Sequence, residues 1–231
     1  MVFFGIPLTQ NSVNAQEKLT FGGIVGSDFL SQAGEAVLKE AYNEIGIRIE
    51  KRMLPAKRAL LYSNSGRLDG ELTRIKGINK IYPNLIFIPV NVANLEMCVF
   101  SKKVKFPVNG WNSLKPYKIG ITRGIVILEK GTAGMQRDIS DGNDEMFLKL
   151  DNNRTDIAIV NRVQGLMTIK KLKLSNIQTL WPPVVVIKLY HYLHEKNAEL
   201  VPKITEILKR MEKQGRIEEI NNRIIQQFLK K

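Results

Sequence analysis

The chain has 231 residues, 44% of them hydrophobic and 25% charged, a balance that excludes a disordered tail, a collagen-like repeat and a disulfide scaffold. No apolar run reaches the ~18 residues of a membrane span, so the chain is not expected to be membrane-embedded. Lys plus Arg number 35 against 22 Asp plus Glu, a formal net charge of +13, but the cations are scattered and lack interleaved aromatics, so nucleic acid is not an expected partner.

Residues 1–18 open with the short apolar run Val2 to Leu8, and Val13-Asn14-Ala15 fits a signal-peptidase site. This stretch is expected to be an export-signal remnant or a disordered leader. Leu19 to Val25 alternates and ends at Gly26-Ser27-Asp28, the pattern of a strand entering a turn. Ala33 to Glu44 carries Val37, Leu38 and Ala41 on one helical face and stops at Gly46. Ile47 to Pro55 reads as a strand, Ala56 to Asn64 as a helix, and Leu68 to Leu72 and Leu85 to Val90 as further strands. The order β-α-β-α-β implies parallel strands with crossover helices.

The pattern restarts after Lys102. Tyr117 to Thr122 is strand-like, Gly124 precedes a possible helix start, Asp144 to Leu150 is a short amphipathic helix and Thr155 to Val160 an apolar strand. A helix over Val163 to Ile169 and a strand near Ile177 to Leu180 finish the block. The tail carries two amphipathic helices, one on Leu200, Ile204, Ile207, Leu208 and Met211, the other on Ile217, Ile220, Ile224 and Phe228.

A single cysteine, Cys98, permits no internal disulfide, and two histidines, His191 and His194, supply no metal-ligand set. Spaced by three, they would share a face if helical and read as surface or packing residues. No G-x-S-x-G elbow, Walker loop, H-E-x-x-H or G-x-G-x-x-G is present, and no cofactor or metal is expected.

Five segments, in order, resemble the family 3 extracellular solute-binding proteins of ABC transporters. They are Gly34 to Ile47, then Leu54 to Leu60 with Ser65 to Gly70, then Tyr117 to Gly124, Asn153 to Ile159, and Leu208 to Gly215. The resemblance implies a type 2 periplasmic-binding-protein fold, with two α/β lobes joined by two crossover strands and a cleft between them. Lobe 1 would comprise 19–101 plus 185–231, and lobe 2 would comprise 102–184. It further implies a periplasmic or extracellular monomer that binds a small-molecule solute without catalysis and presents it to a membrane ABC permease or a sensor protein.

Ligands of open α/β sheets bind beyond the carboxyl ends of the strands, which selects candidate site residues. Asp28 and Phe29 follow the first strand, where the resembled family often places an aromatic against the ligand, so that Phe29 would either pack there or serve as a core residue at the lobe edge. Arg74 follows the third, slightly earlier than the Arg with which the resembled family grips a carboxylate, and would either take that role with its planar fork or stand as a solvated surface residue. Arg123 and Gly124 precede a helix start, where free backbone N–H groups favour an anion. Asn161 follows the Asp156 strand where the family's amino-acid binders have an Asp. That substitution and Ile125, in place of a hydroxyl residue, leave open a small organic anion or polar molecule. Arg58 would either contact such a ligand or pair with Asp69 or Glu71. Glu71, with Asp28, is also the acid or base a dehydratase-like enzyme on the same fold would need.

Overall fold

The computed structural model describes residues 18–26 and 28–230, with only the backbone at Asp28. The export-signal reading falls on residues outside that range except for Lys18, which opens the first strand. The chain runs β1 (Lys18–Ile24), α1 (Asp28–Asn43), β2 (Arg48–Leu54), α2 (Ala56–Asn64), β3 (Gly70–Ile75), β4 (Leu85–Ser101), β5 (Ile119–Thr122) and α3 (Val126–Gly131). It continues through β6 (Arg137–Ser140), α4 (Asn143–Asp151), β7 (Ile157–Asn161), α5 (Arg162–Lys171), β8 (Gln178–His194), α6 (Leu200–Lys213) and α7 (Arg216–Lys230).

The strands lie in the order β2-β1-β3-β8-β4-β7-β5-β6. At one end β1 pairs in parallel with β2 and β3, and at the other β5 pairs in parallel with β6 and β7. Between them β4 and β8, 17 residues each, pair antiparallel from Leu85 opposite His194 to Ser101 opposite Gln178. These two strands are much longer than the short strands their sequences suggest, because each serves two cores in turn. Ile88, Val90 and Val92 of β4 pack with Phe21, Leu38, Tyr42 and Leu208, whereas Met97 and Val99 pack with Ile119, Ile121 and Ile159. The switch therefore falls between Val92 and Met97.

The apolar run Ile157-Ala158-Ile159-Val160 is buried on both faces, since alternate residues of a strand point opposite ways. Ile157 and Ile159 face the core of Leu114 and Leu128, and Ala158 and Val160 face Phe100, Phe147 and Leu150. The stripes of α6 and α7 bury Ile204, Leu208, Met211, Ile217 and Ile220 against the β1–β3 end. Arg216 grips Glu40 of α1 with two bonds of 2.7 and 2.8 Å, and Asn221 donates to the Val92 carbonyl. At its far end α7 meets the other half, where Lys170 of α5 donates to the carbonyls of Leu229 and Lys230.

Both histidines lie on β8, not on a helix. Three residues apart on a strand they face opposite sides, and both are buried.

Candidate functional site

The parallel strands β1, β5 and β7 end around one cavity of about 310 Å³. Gly26, Phe29 and Leu30 supply one wall from the turn after β1 and the start of α1. Ile125 and Ile127 come from the start of α3, and Asn161, Val163, Gln164 and Met167 from the corner between β7 and α5. Leu95 and Met97 of β4 line it, as does Phe228 of α7, whose ring meets Phe29 edge-on with centroids 5.8 Å apart. The left-handed turns at Gly26 (φ 82°) and Gly124 (φ 80°) let the chain reverse at two of these strand ends without a Cβ clash.

Asn161 lies in the cavity wall, but its side-chain oxygen is engaged. It caps α5, accepting from the N–H groups of Val163 (3.1 Å) and Gln164 (3.2 Å). The Gln164 side-chain amide, exposed one turn into the helix, has no hydrogen-bond partner among the described residues.

Phe29 and Asn161 are thus the two expected site residues that the fold brings together. Asp28 opens α1 beside Phe29, with its side chain outside the described residues. Gly124 sits in the turn before α3, where its N–H donates to Glu129 Oε1 at 2.8 Å, so this donor is satisfied within the chain. Arg123 is exposed and pairs with Asp141 at 2.8 Å, an arrangement that raises its pKa and lowers that of Asp141.

Arg74 needs correction. Instead of facing the cavity, it is buried 2.6 Å from the fully buried Glu71. Ser63 Oγ donates to the same carboxylate at 2.7 Å. Burial pushes the Glu71 pKa up, with Arg74 and Ser63 opposing the rise. Gly22 makes the pocket for this carboxylate, since a Cβ there would stand 2.8 Å from Glu71 Oε1. The reason is a register shift between β3 and β8 at Glu71 to Arg74, which turns both side chains into the layer. Glu71 is for the same reason removed as a cleft acid or base. Arg58 is exposed on α2 and pairs with neither alternative: Asp69 is bonded by Lys196 at 2.8 Å and the Thr20 N–H at 2.7 Å, and Glu71 by Arg74.

Sequence reasoning missed Leu95, Met97, Gln164, Met167 and Phe228. Only Phe228 carried a signal, as the last apolar position of a stripe that otherwise faces a core. Arg162, also missed, lines an adjoining cavity of about 270 Å³ between β4 and α7 that shares Phe29, Asn161 and Val163 with the first; there it pairs with Glu96 at 3.4 Å and lies over Trp181.

Among the described residues no helix is long and apolar enough to cross a membrane. No protein-family model matches the chain. It is 27% identical over 195 residues to an uncharacterized protein of Shewanella oneidensis, covering 80% of this chain and 72% of that one. Among solved structures it is similar to a probable amino-acid ABC transporter extracellular-binding protein from Bacillus subtilis, with a TM-score of 0.70 at 14% identity over 90% of this chain and 98% of the other. The L-cystine solute receptor of Neisseria gonorrhoeae in its unliganded open conformation gives a TM-score of 0.69 at 14% identity, over 92% and 94% of the two chains. A histidine kinase sensor domain with similarity to periplasmic binding proteins gives 0.61 at 17%, over 90% and 96%. Likeness at this level carries the architecture alone, and with the strand order and the paired long strands it identifies the fold as that of the type 2 periplasmic binding proteins, two α/β lobes joined by two crossover strands around a cleft.

Proposed function

We propose that the chain is an extracytoplasmic solute-binding protein that captures a small molecule between its lobes and presents it to an ABC permease. The working division is 19–101 plus 185–231 for the first lobe and 102–184 for the second. The observation that carries this reading is the cavity at the ends of β1, β5 and β7, walled from both halves of the sheet. A solute held there touches both walls and so favours the closed arrangement by its extra contacts. The binding and receptor proteins among its structural neighbours support a role without catalysis.

The test joins a thermal-shift screen of amino acids, small carboxylates, amides and apolar solutes with small-angle scattering. A hit at a hundredfold excess over its dissociation constant adds ~2.7 kcal/mol to stability and should reduce the radius of gyration. Failure of every class to shift the melting temperature would refute the reading. Cell fractionation checks the location, and recovery only from the cytosol would remove the extracytoplasmic part. The sensor-domain neighbour favours a second reading, in which the same closure signals to a membrane receptor. Co-isolation with a permease or with a receptor distinguishes the two.

A further inference from the structure

We propose that this cavity selects a predominantly apolar solute that carries no carboxylate. The inference rests on the solute-binding reading and names the class of solute. Among the described residues lining the cavity none is charged, and the polar side chains are two amides. One of them, Asn161, caps α5 with its oxygen and turns its amide nitrogen to the Glu96 carbonyl at 3.5 Å, which leaves the Gln164 amide as the one with no partner among the described residues. Two of the arginines expected to grip an anion are engaged away from this wall, Arg74 with Glu71 and Arg123 with Asp141, and Arg162, which lines the adjoining cavity, is paired with Glu96 at 3.4 Å. A carboxylate brought into this wall would lose its hydration without gaining a counter-charge.

Met167 of α5, which lines the cavity, is 39% exposed, and Val25 and Val126, next in the chain to the lining residues Gly26, Ile125 and Ile127, are 60% and 59% exposed. An exposed apolar side chain on a cavity wall suits an apolar occupant, and closure over such a solute would cover Met167. The volume of about 310 Å³ is about twice that of an engineered cavity that holds benzene. A phenylalkyl or bicyclic molecule with one uncharged hydrogen-bonding group therefore fits.

The test uses a matched pair, 3-phenylpropionamide and 3-phenylpropionate, with free amino acids as a third class, titrated by calorimetry at neutral pH. The amide should bind at least ~10-fold more tightly than the carboxylate, the factor expected from the cost of an unpaired buried charge. Phe29→Ala should weaken amide binding. Gln164→Lys, at an exposed helical position, should move the preference toward the carboxylate. If the unaltered protein binds the carboxylate or an amino acid as tightly as the amide, this inference falls and the solute-binding reading stands. Amide binding indifferent to Phe29→Ala would place the solute elsewhere and also overturn it. If no class binds, the solute-binding reading falls too.

Discussion

His191 offers a quantitative test of how the first lobe is held together. Its ring is completely buried, with Nδ1 2.7 Å from the Glu71 carbonyl and Nε2 3.0 Å from the Tyr42 hydroxyl. A carbonyl only accepts, so Nδ1 carries the proton and Nε2 accepts from Tyr42. Phe21 meets the ring edge-on at 4.8 Å. Burial disfavours the charged form and brings the pKa from 6.5 down to about 4. Between these values the unfolded chain binds a proton that the folded chain refuses. Stability from this group is therefore complete above pH 6.5 and is lost as the pH falls toward 4. At about 1.36 kcal/mol per pH unit the interval corresponds to about 3 kcal/mol. The raised pKa of Glu71 acts with the opposite sign, adding stability as the pH falls. The useful quantity is thus the difference between the protein and its His191→Gln variant, in which the other groups cancel. Urea unfolding from pH 7.5 to pH 4 should show this difference shrinking by about 3 kcal/mol. A difference independent of pH, or a His191 resonance titrating near 6.5, would refute the reasoning.

Two further outcomes follow from the site geometry. Arg74→Met strands the buried Glu71 carboxylate and should cost ~3–5 kcal/mol in urea unfolding, against under ~0.5 kcal/mol for Arg58→Ala on the surface. A loss below ~1 kcal/mol for Arg74→Met would argue that the pair is not what holds this corner. Cys98 is fully buried, and burial pushes its thiol pKa up to about 12. Thiol reagents should leave it unmodified in the native protein and label it only as the chain unfolds, and rapid native labelling would contradict its placement in the core.

Much of the architecture is legible in local pattern. The span of α2, Ala56–Asn64, follows from its periodicity and the bounding Pro55 and Gly66. The stripes of α6 and α7 are equally plain, as is the buried strand β7. The lengths of β4 and β8 are not. Asn91, Asn94, Glu96, Lys188 and Tyr190 interrupt the alternation where the strands pass from one core to the other, so local pattern breaks although pairing continues. His191 and His194, open between surface and packing positions from their spacing, prove to be packing residues on β8. Four-residue β6 at the sheet edge has only Ser140 buried, too little for a period to register.

Residue types and spacing determined a two-block α/β chain and the ends of its short parallel strands, and the family resemblance singled out Phe29 and Asn161, which line the cavity. Only the tertiary structure decided what the arginines do. A charged side chain on a strand end reads the same whether it meets a ligand, solvent or a buried partner. Its meaning depends on contacts between distant segments, as when Gly22, Ser63 and Glu71 enclose the site that Arg74 fills. The apolar character of the cavity has the same origin, since it is assembled from the turn after β1 and from α1, β4, α3, β7, α5 and α7, pieces separated by up to two hundred residues. Local sequence sets how each segment folds, whereas long-range register sets which side chains meet.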